Sequence, residues 1–156
     1  MKKWRELKIW QKCLIVLAAL PVLASFYPLD RSNPPVTAGL QAPADVDDVL
    51  RRACYDCHSN ETYWPWYSYV APVSFLVTQD VELGRDEMNF SDWGNMDPID
   101  RVYLREECWE QVEAGKMPPL QYRGRGRSKL TDEDRAIIES WAEDAMDEEE
   151  EPESDE

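Results

Sequence analysis

A chain of 156 residues has room for one domain and little more. It carries 32 Asp and Glu against 17 Lys and Arg, a net charge of −15. That balance excludes nucleic-acid binding, which needs basic side chains to neutralise phosphate. The charge is uneven: ten of the acids lie between Glu143 and Glu156, leaving about −5 for residues 1–142.

At the N-terminus Lys2, Lys3, Arg5, Lys8 and Lys12 precede an apolar run from Cys13 to Tyr27, broken only by Pro21 and Ser25. Residues 1–27 read as a signal peptide, with small residues for a peptidase at Val22-Leu23-Ala24. If Ile9 and Trp10 extend the run, they read as an uncleaved membrane anchor instead. In either case the positive flank stays in the cytoplasm and the rest is exported to the periplasmic side. Cys13 lies inside the run, where it is inert. Residues 28–44, with Pro28, Pro34, Pro35 and Pro43, read as an extended linker.

Residues 45–146 read as one all-α domain, with no internal repeat and no alternating strand pattern. A first helix is expected near Asp45, with Val46, Val49, Leu50 and Ala53 on one apolar stripe. It runs directly into Cys54-Tyr55-Asp56-Cys57-His58, the C-x-x-C-H spacing of covalent haem attachment. Two thiols add across the porphyrin vinyl groups as thioethers, and the adjacent imidazole is delivered to the iron. Cys54, Cys57 and His58 are therefore the cofactor-binding residues, His58 is an iron ligand and haem c is the cofactor. Three other uses of the motif need weighing: a zinc site completed by Cys108, a redox dithiol and a structural disulfide. The chain has one histidine, and it stands where the haem motif requires it.

Tyr63 to Tyr69 form an aromatic loop, expected as core and haem wall together. Pro72 opens a second helix, with Leu76, Val77 and Val81 inward and Gly84 near its end. Asp97-Pro98 caps a third, carrying Ile99, Val102, Tyr103, Trp109 and Val112 and stopped by Gly115. The last helix has Leu130 as staple, Thr131 as N-cap and Asp132, Glu133 and Asp134 in its first turn. Its buried face is Ile137, Ile138, Trp141, Ala142 and Ala145. Residues 147–156 read as an acidic disordered tail.

With no second histidine, the sixth ligand falls to methionine. Met117 is the choice, in the loop Gly115-Lys116-Met117-Pro118-Pro119, where two prolines stiffen the backbone. Met88 and Met96 remain rivals. Arg51, Arg52 and Arg85 are candidate propionate partners.

The run from Cys54 to Val73 resembles the bacterial haem-binding domain family of small exported c-type cytochromes. Asn89 to Trp93, Gly115 to Pro119 and Leu130 to Asp134 also match its motifs, so the likeness covers roughly residues 45–145. It implies covalent haem on Cys54, Cys57 and His58, with Met117 as distal ligand. One departure is the basic run Arg123 to Lys129, where the family continues with aliphatic residues and often a histidine.

The sequence reading is an exported monohaem c-type electron carrier, not an enzyme and with no catalytic residues. Its partners are redox proteins with a basic docking face, and the membrane if the N-terminal segment is uncleaved. The alternative is a haem-based sensor or peroxidase-like enzyme with an open distal site. A third possibility is an exported disulfide or zinc module.

Overall fold

The computed structural model describes residues 7–123 and 128–150; for Arg123 and residues 146–150 it describes the backbone alone. The rest of the basic run through Arg127, and the tail beyond Glu150, lie outside these residues. The described residues form seven α-helices and no strand, so the all-α class holds. In chain order they are α1 (Ile9–Ala24), α2 (Ala44–Ala53), α3 (Tyr55–His58), α4 (Val73–Glu87), α5 (Pro98–Glu113), α6 (Leu120–Arg123) and α7 (Asp132–Glu150). Short 3₁₀ turns occupy Trp66–Tyr69 and Trp93–Asn95.

Helix α1 has 16 residues, none of them buried. At 1.5 Å per residue it is about 24 Å long, against about 30 Å of bilayer hydrocarbon. Among the described residues no helix is long and apolar enough to cross a membrane. Its C-terminal end touches the domain. Ser25 Oγ accepts from the Ala71 amide at 2.9 Å, and the Tyr27 and Phe75 rings meet at 5.9 Å.

Residues 28–44 are not a free linker. From Arg31 onward they form a strap laid along the domain. Arg31 donates to the Ser68 carbonyl and Asn33 to the Thr62 carbonyl. The Thr37 and Ala38 amides donate to the Ser91 carbonyl, and Leu40 to Phe90. Leu40 ends in the core. Proline-rich composition reads as a spacer because proline cannot extend a helix, but each peptide still offers a carbonyl and most an N–H for pairing with a neighbour.

Helix α2 divides its apolar stripe between two clusters. Val46 and Leu50 join Leu40, Tyr55, Met88, Phe90, Trp93 and Trp141. Val49 joins Val112, Leu130 and Ile138. The first cluster is threaded by a run of rings. Tyr55 stacks on Phe90 at 5.1 Å, Phe90 meets Trp93 at 5.9 Å, and Trp93 meets Trp141 at 6.0 Å. Phe90 is fully buried at its centre.

Helix α7 begins as expected. Thr131 Oγ1 accepts from the Asp134 amide at 3.1 Å, and Asp134 Oδ2 accepts from the Thr131 amide at 2.7 Å. Ile138, Trp141, Ala142 and Ala145 are buried. The helix continues to Glu150, four residues into the segment expected to be disordered.

Two inward faces differ from expectation. On α4 the buried residues are Ser74, Val77, Thr78, Val81 and Gly84, and Leu76 is exposed. On α5, Ile99 and Tyr103 are exposed and only Val112 is fully buried; Leu104 and Cys108 pack against the core in their place. Small and polar residues take inward positions wherever another backbone approaches too closely for a large side chain.

Candidate functional site

The cysteine pair is placed by two helices meeting end to end. Helix α2 stops at Ala53, Cys54 has a non-helical backbone, and α3 takes up the chain from Tyr55. The amides of Cys57 and His58 both donate to the Cys54 carbonyl. This tight turn presents both thiols and the imidazole to one cavity of about 690 Å³, within the size range of cofactor sites. Its walls include Val77, Val81 and Gly84 of α4, Leu104, Cys108 and Val112 of α5, Tyr63 and Tyr67 of the aromatic loop, and Met117, Pro118, Pro119 and Tyr122.

His58 is oriented from behind. Its Nδ1 lies 3.2 Å from the Met88 carbonyl oxygen. A carbonyl can only accept, so Nδ1 carries the proton and the Nε2 lone pair is left free for a metal. Burial holds the imidazole below its ordinary value, opposed by the carbonyls of Met88 and Gly84. A ligating histidine must be neutral, and burial favours that form here.

A network spans the two segments that meet at this point. The Phe90 amide donates to the His58 carbonyl at 2.8 Å. The Asn60 amide donates to Ser91 Oγ, and Asn89 Nδ2 to Asn60 Oδ1. Ser59, fully buried, donates to the Tyr55 carbonyl at 2.7 Å and accepts from the Glu61 amide.

Helix α4 lies against the motif backbone to backbone. A Cβ on Gly84 would stand 2.8 Å from the Cys57 carbonyl oxygen and 3.2 Å from the Cys57 Cβ. Gly84 is therefore a packing residue near the end of α4, which runs on to Glu87. A glycine within a helical pattern is the one sequence signal that pointed to it.

The thiols are free. Burial pushes Cys57 up to about 12, with Asp80 and Asp56 adding to it. Burial also raises Cys54, and brings Cys108 to about 12. Burial thus disfavours the thiolate at all three, whereas a redox dithiol needs a lowered pKa. Among the described residues, no three His, Cys, Asp or Glu side chains are grouped as a zinc module requires.

The three candidate methionines separate. Met117 lines the cavity. Its loop is set by Gly115 at φ +63°, the left-handed conformation that ends a helix and suits glycine. The Lys116 and Met117 amides then return to the Gln111 carbonyl at 2.9 and 3.0 Å. Met88 also reaches the cavity wall, but its carbonyl bonds the Nδ1 edge of His58, which puts its backbone behind the ring. Met96 packs on the aromatic core and is absent from the cavity wall.

The arginines are engaged elsewhere. Arg51 pairs with Asp47 and Glu61 and lies over the Tyr55 ring. Arg52 pairs with Asp134 at 2.6 Å. Arg85 donates to Ser59 O, Ser32 O, Asn33 Oδ1 and Thr62 Oγ1, tying the strap to the motif. None of the three lines the cavity. The aromatic loop is also less buried than expected: Tyr63 and Tyr67 border the cavity, but Tyr63, Trp66 and Tyr69 are all exposed.

A family model described as a haem-binding domain matches residues 15–144. No curated protein matches the chain, and no solved structure does.

Proposed function

The chain belongs to the haem-binding domain family, and from that premise we propose that it is a monohaem c-type electron-transfer protein, exported and working on the periplasmic side. The observation that carries the reading is His58, half-buried and bonded through Nδ1 to the Met88 carbonyl, so that Nε2 is left free at a cavity lined by His58 together with Cys54, Cys57 and Met117. These residues fit a covalently held haem. Cys54 and Cys57 would carry the thioethers, and His58 and Met117 would hold the iron. When bound, the haem supplies a one-electron ferrous–ferric couple, and methionine sulfur raises its potential.

The residues around it orient and exclude water. Met88 and Phe90 hold the imidazole, while Val77, Val81, Leu104 and Val112 supply the apolar wall. Filling the distal position with Met117 distinguishes an electron carrier from the sensor or peroxidase alternative. A peroxidase also needs a distal base, and the chain has no second histidine. Net charge −15 suits redox partners with a basic docking face.

The test is expression with export in a host that matures cytochromes c. Haem staining of a denaturing gel is expected to give a band at the protein's mass, absent in the Cys54→Ser/Cys57→Ser variant. Haem that leaves the wild-type band on acid–acetone extraction would refute covalent attachment. In the ferric protein, Met117→Ala is expected to remove the weak far-red charge-transfer band of methionine ligation, lower the potential and open the iron to carbon monoxide. Met88→Ala and Met96→Ala are expected to keep the band.

A further inference from the structure

We propose that Asp80 and Tyr122 form a latch that holds Met117 over the cavity, making them positioning residues for the distal ligand. The inference rests on the reading of Met117 as that ligand. The side of the Met117 loop nearer the N-terminus is fixed by backbone bonds to the Gln111 carbonyl. On its other side come Pro118 and Pro119, which have no N–H to donate. The chain then turns, with the Tyr122 amide donating to the Pro119 carbonyl at 2.9 Å. Five residues past the methionine, the Tyr122 hydroxyl donates to Asp80 Oδ2 at 2.7 Å, and Gln121 Nε2 donates to the same oxygen at 3.4 Å.

Asp80 stands on α4 one turn before Gly84, so the two share a face of the helix, and both line the cavity with Tyr122. One rigid helix thus meets both sides of the site. Gly84 packs on Cys57, beside the proximal histidine, and Asp80 bonds the loop that bears the distal sulfur. The bond is charge-assisted, from a phenol to a carboxylate, and half-buried, which makes it stronger than an ordinary surface contact. Burial and the Asp80 carboxylate also hold the Tyr122 hydroxyl well above its usual range, so it stays a donor.

The experiment uses the full-length haem-loaded protein and compares Tyr122→Phe, Asp80→Ala, Asp80→Asn and the Tyr122→Phe/Asp80→Ala pair with Met117→Ala. The readouts are the ferric charge-transfer band and the rate of carbon monoxide binding to the ferrous form. Tyr122→Phe and Asp80→Ala are each expected to weaken the band and to speed carbon monoxide binding roughly tenfold or more, the factor expected from loss of a hydrogen bond to a charged group. Haem staining should be unchanged. Asp80→Asn keeps an acceptor oxygen and should lose less than Asp80→Ala. The double variant should be no worse than the worse single one, because the two side chains make one bond.

Single variants with wild-type band and rate, beside a Met117→Ala variant that has lost the band, would overturn the latch and leave the ligand intact. Additive losses in the double variant would overturn it too, since the two residues would then act separately. A Met117→Ala variant indistinguishable from wild type would remove the ligand reading and the latch with it.

Discussion

A methyl group at position 84 has no free space. The nearest atoms belong to the Cys57 backbone, at 2.8 and 3.1 Å, and backbone cannot rotate aside as a side-chain tip can. Gly84→Ala brings two opposed effects. Alanine favours the helix by about 1 kcal/mol, while forcing an extra carbon into a filled contact costs about 1–3 kcal/mol. Sub-van-der-Waals contact with main chain puts this site toward the upper part of that range. We therefore expect a net loss of roughly 1–2 kcal/mol in denaturant unfolding, with less haem incorporated as Cys57 and His58 shift. A variant as stable as wild type would show that α4 can move off the motif freely. The same scale explains the arginines. Charge alone made Arg85 a propionate partner, yet four oxygen acceptors from the strap and from the segment just after the motif take its guanidinium. A planar fork with five donors goes where several acceptors converge.

At the scale of elements, the start of α7 does two jobs. The reciprocal bonds between Thr131 and Asp134 satisfy amides that a helix leaves without partners. Asp134 also reaches Arg52, two residues before Cys54, and so ties α7 to the helix that delivers the motif. Burial pulls the Asp134 carboxyl upward, but hydrogen bonds from the Thr131 amide and hydroxyl and the Arg52 guanidinium outweigh it and hold it below its ordinary value. A carboxyl depressed in the folded state adds stability above its unfolded pKa, about 3.9, and the gain is lost as pH falls through the lower folded value. Asp134→Ala is thus expected to cost about 1–2 kcal/mol at pH 7, with the gap to wild type closing below about pH 4. Thr131→Ala should cost about 1 kcal/mol and show no such closing. Thermal unfolding of the three proteins at pH 7 and pH 3 checks both statements. An Asp134→Ala gap that stays constant across that range would separate the carboxylate from the cap.

For the whole molecule, the strap decides where the domain begins. Residues 37–40 pair with 90–94 by main-chain bonds, and Leu40 enters the aromatic core. A protein starting at residue 28 loses, among the described residues, the Ser25 and Tyr27 contacts with the Ala71 and Phe75 region, and is expected to unfold within about 1 kcal/mol of the full chain. One starting at residue 41 loses the pairing and a buried leucine, worth about 2–5 kcal/mol for the side chain alone. Urea midpoints of the two truncations and the full chain measure this. Equal midpoints would return the strap to the status of a spacer. Cleavage after Ala24 by a signal peptidase leaves the strap whole, so export by that route is compatible with the fold.

The sequence by itself determined what neighbouring residues settle among themselves. The spacing of Cys54, Cys57 and His58 is fixed by adjacency along the chain, and a haem-binding family model covers it. The Asp97 and Thr131 caps and the stripes of α2 and α7 involve residues two to four apart, a separation at which helix geometry alone decides who meets whom. The Gly115 turn after α5 is equally local. Only the tertiary structure could decide what depends on segments far apart in the chain. The proton on His58 is placed by a carbonyl thirty residues on. Gly84 matters because a backbone passes within a carbon's radius, and the strap matters because Phe90 and Ser91 lie alongside it. Leu76, Ile99 and Tyr103 turn outward for the same kind of reason. An apolar residue is buried only where another element arrives to cover it, and periodicity within one helix carries no information about that arrival.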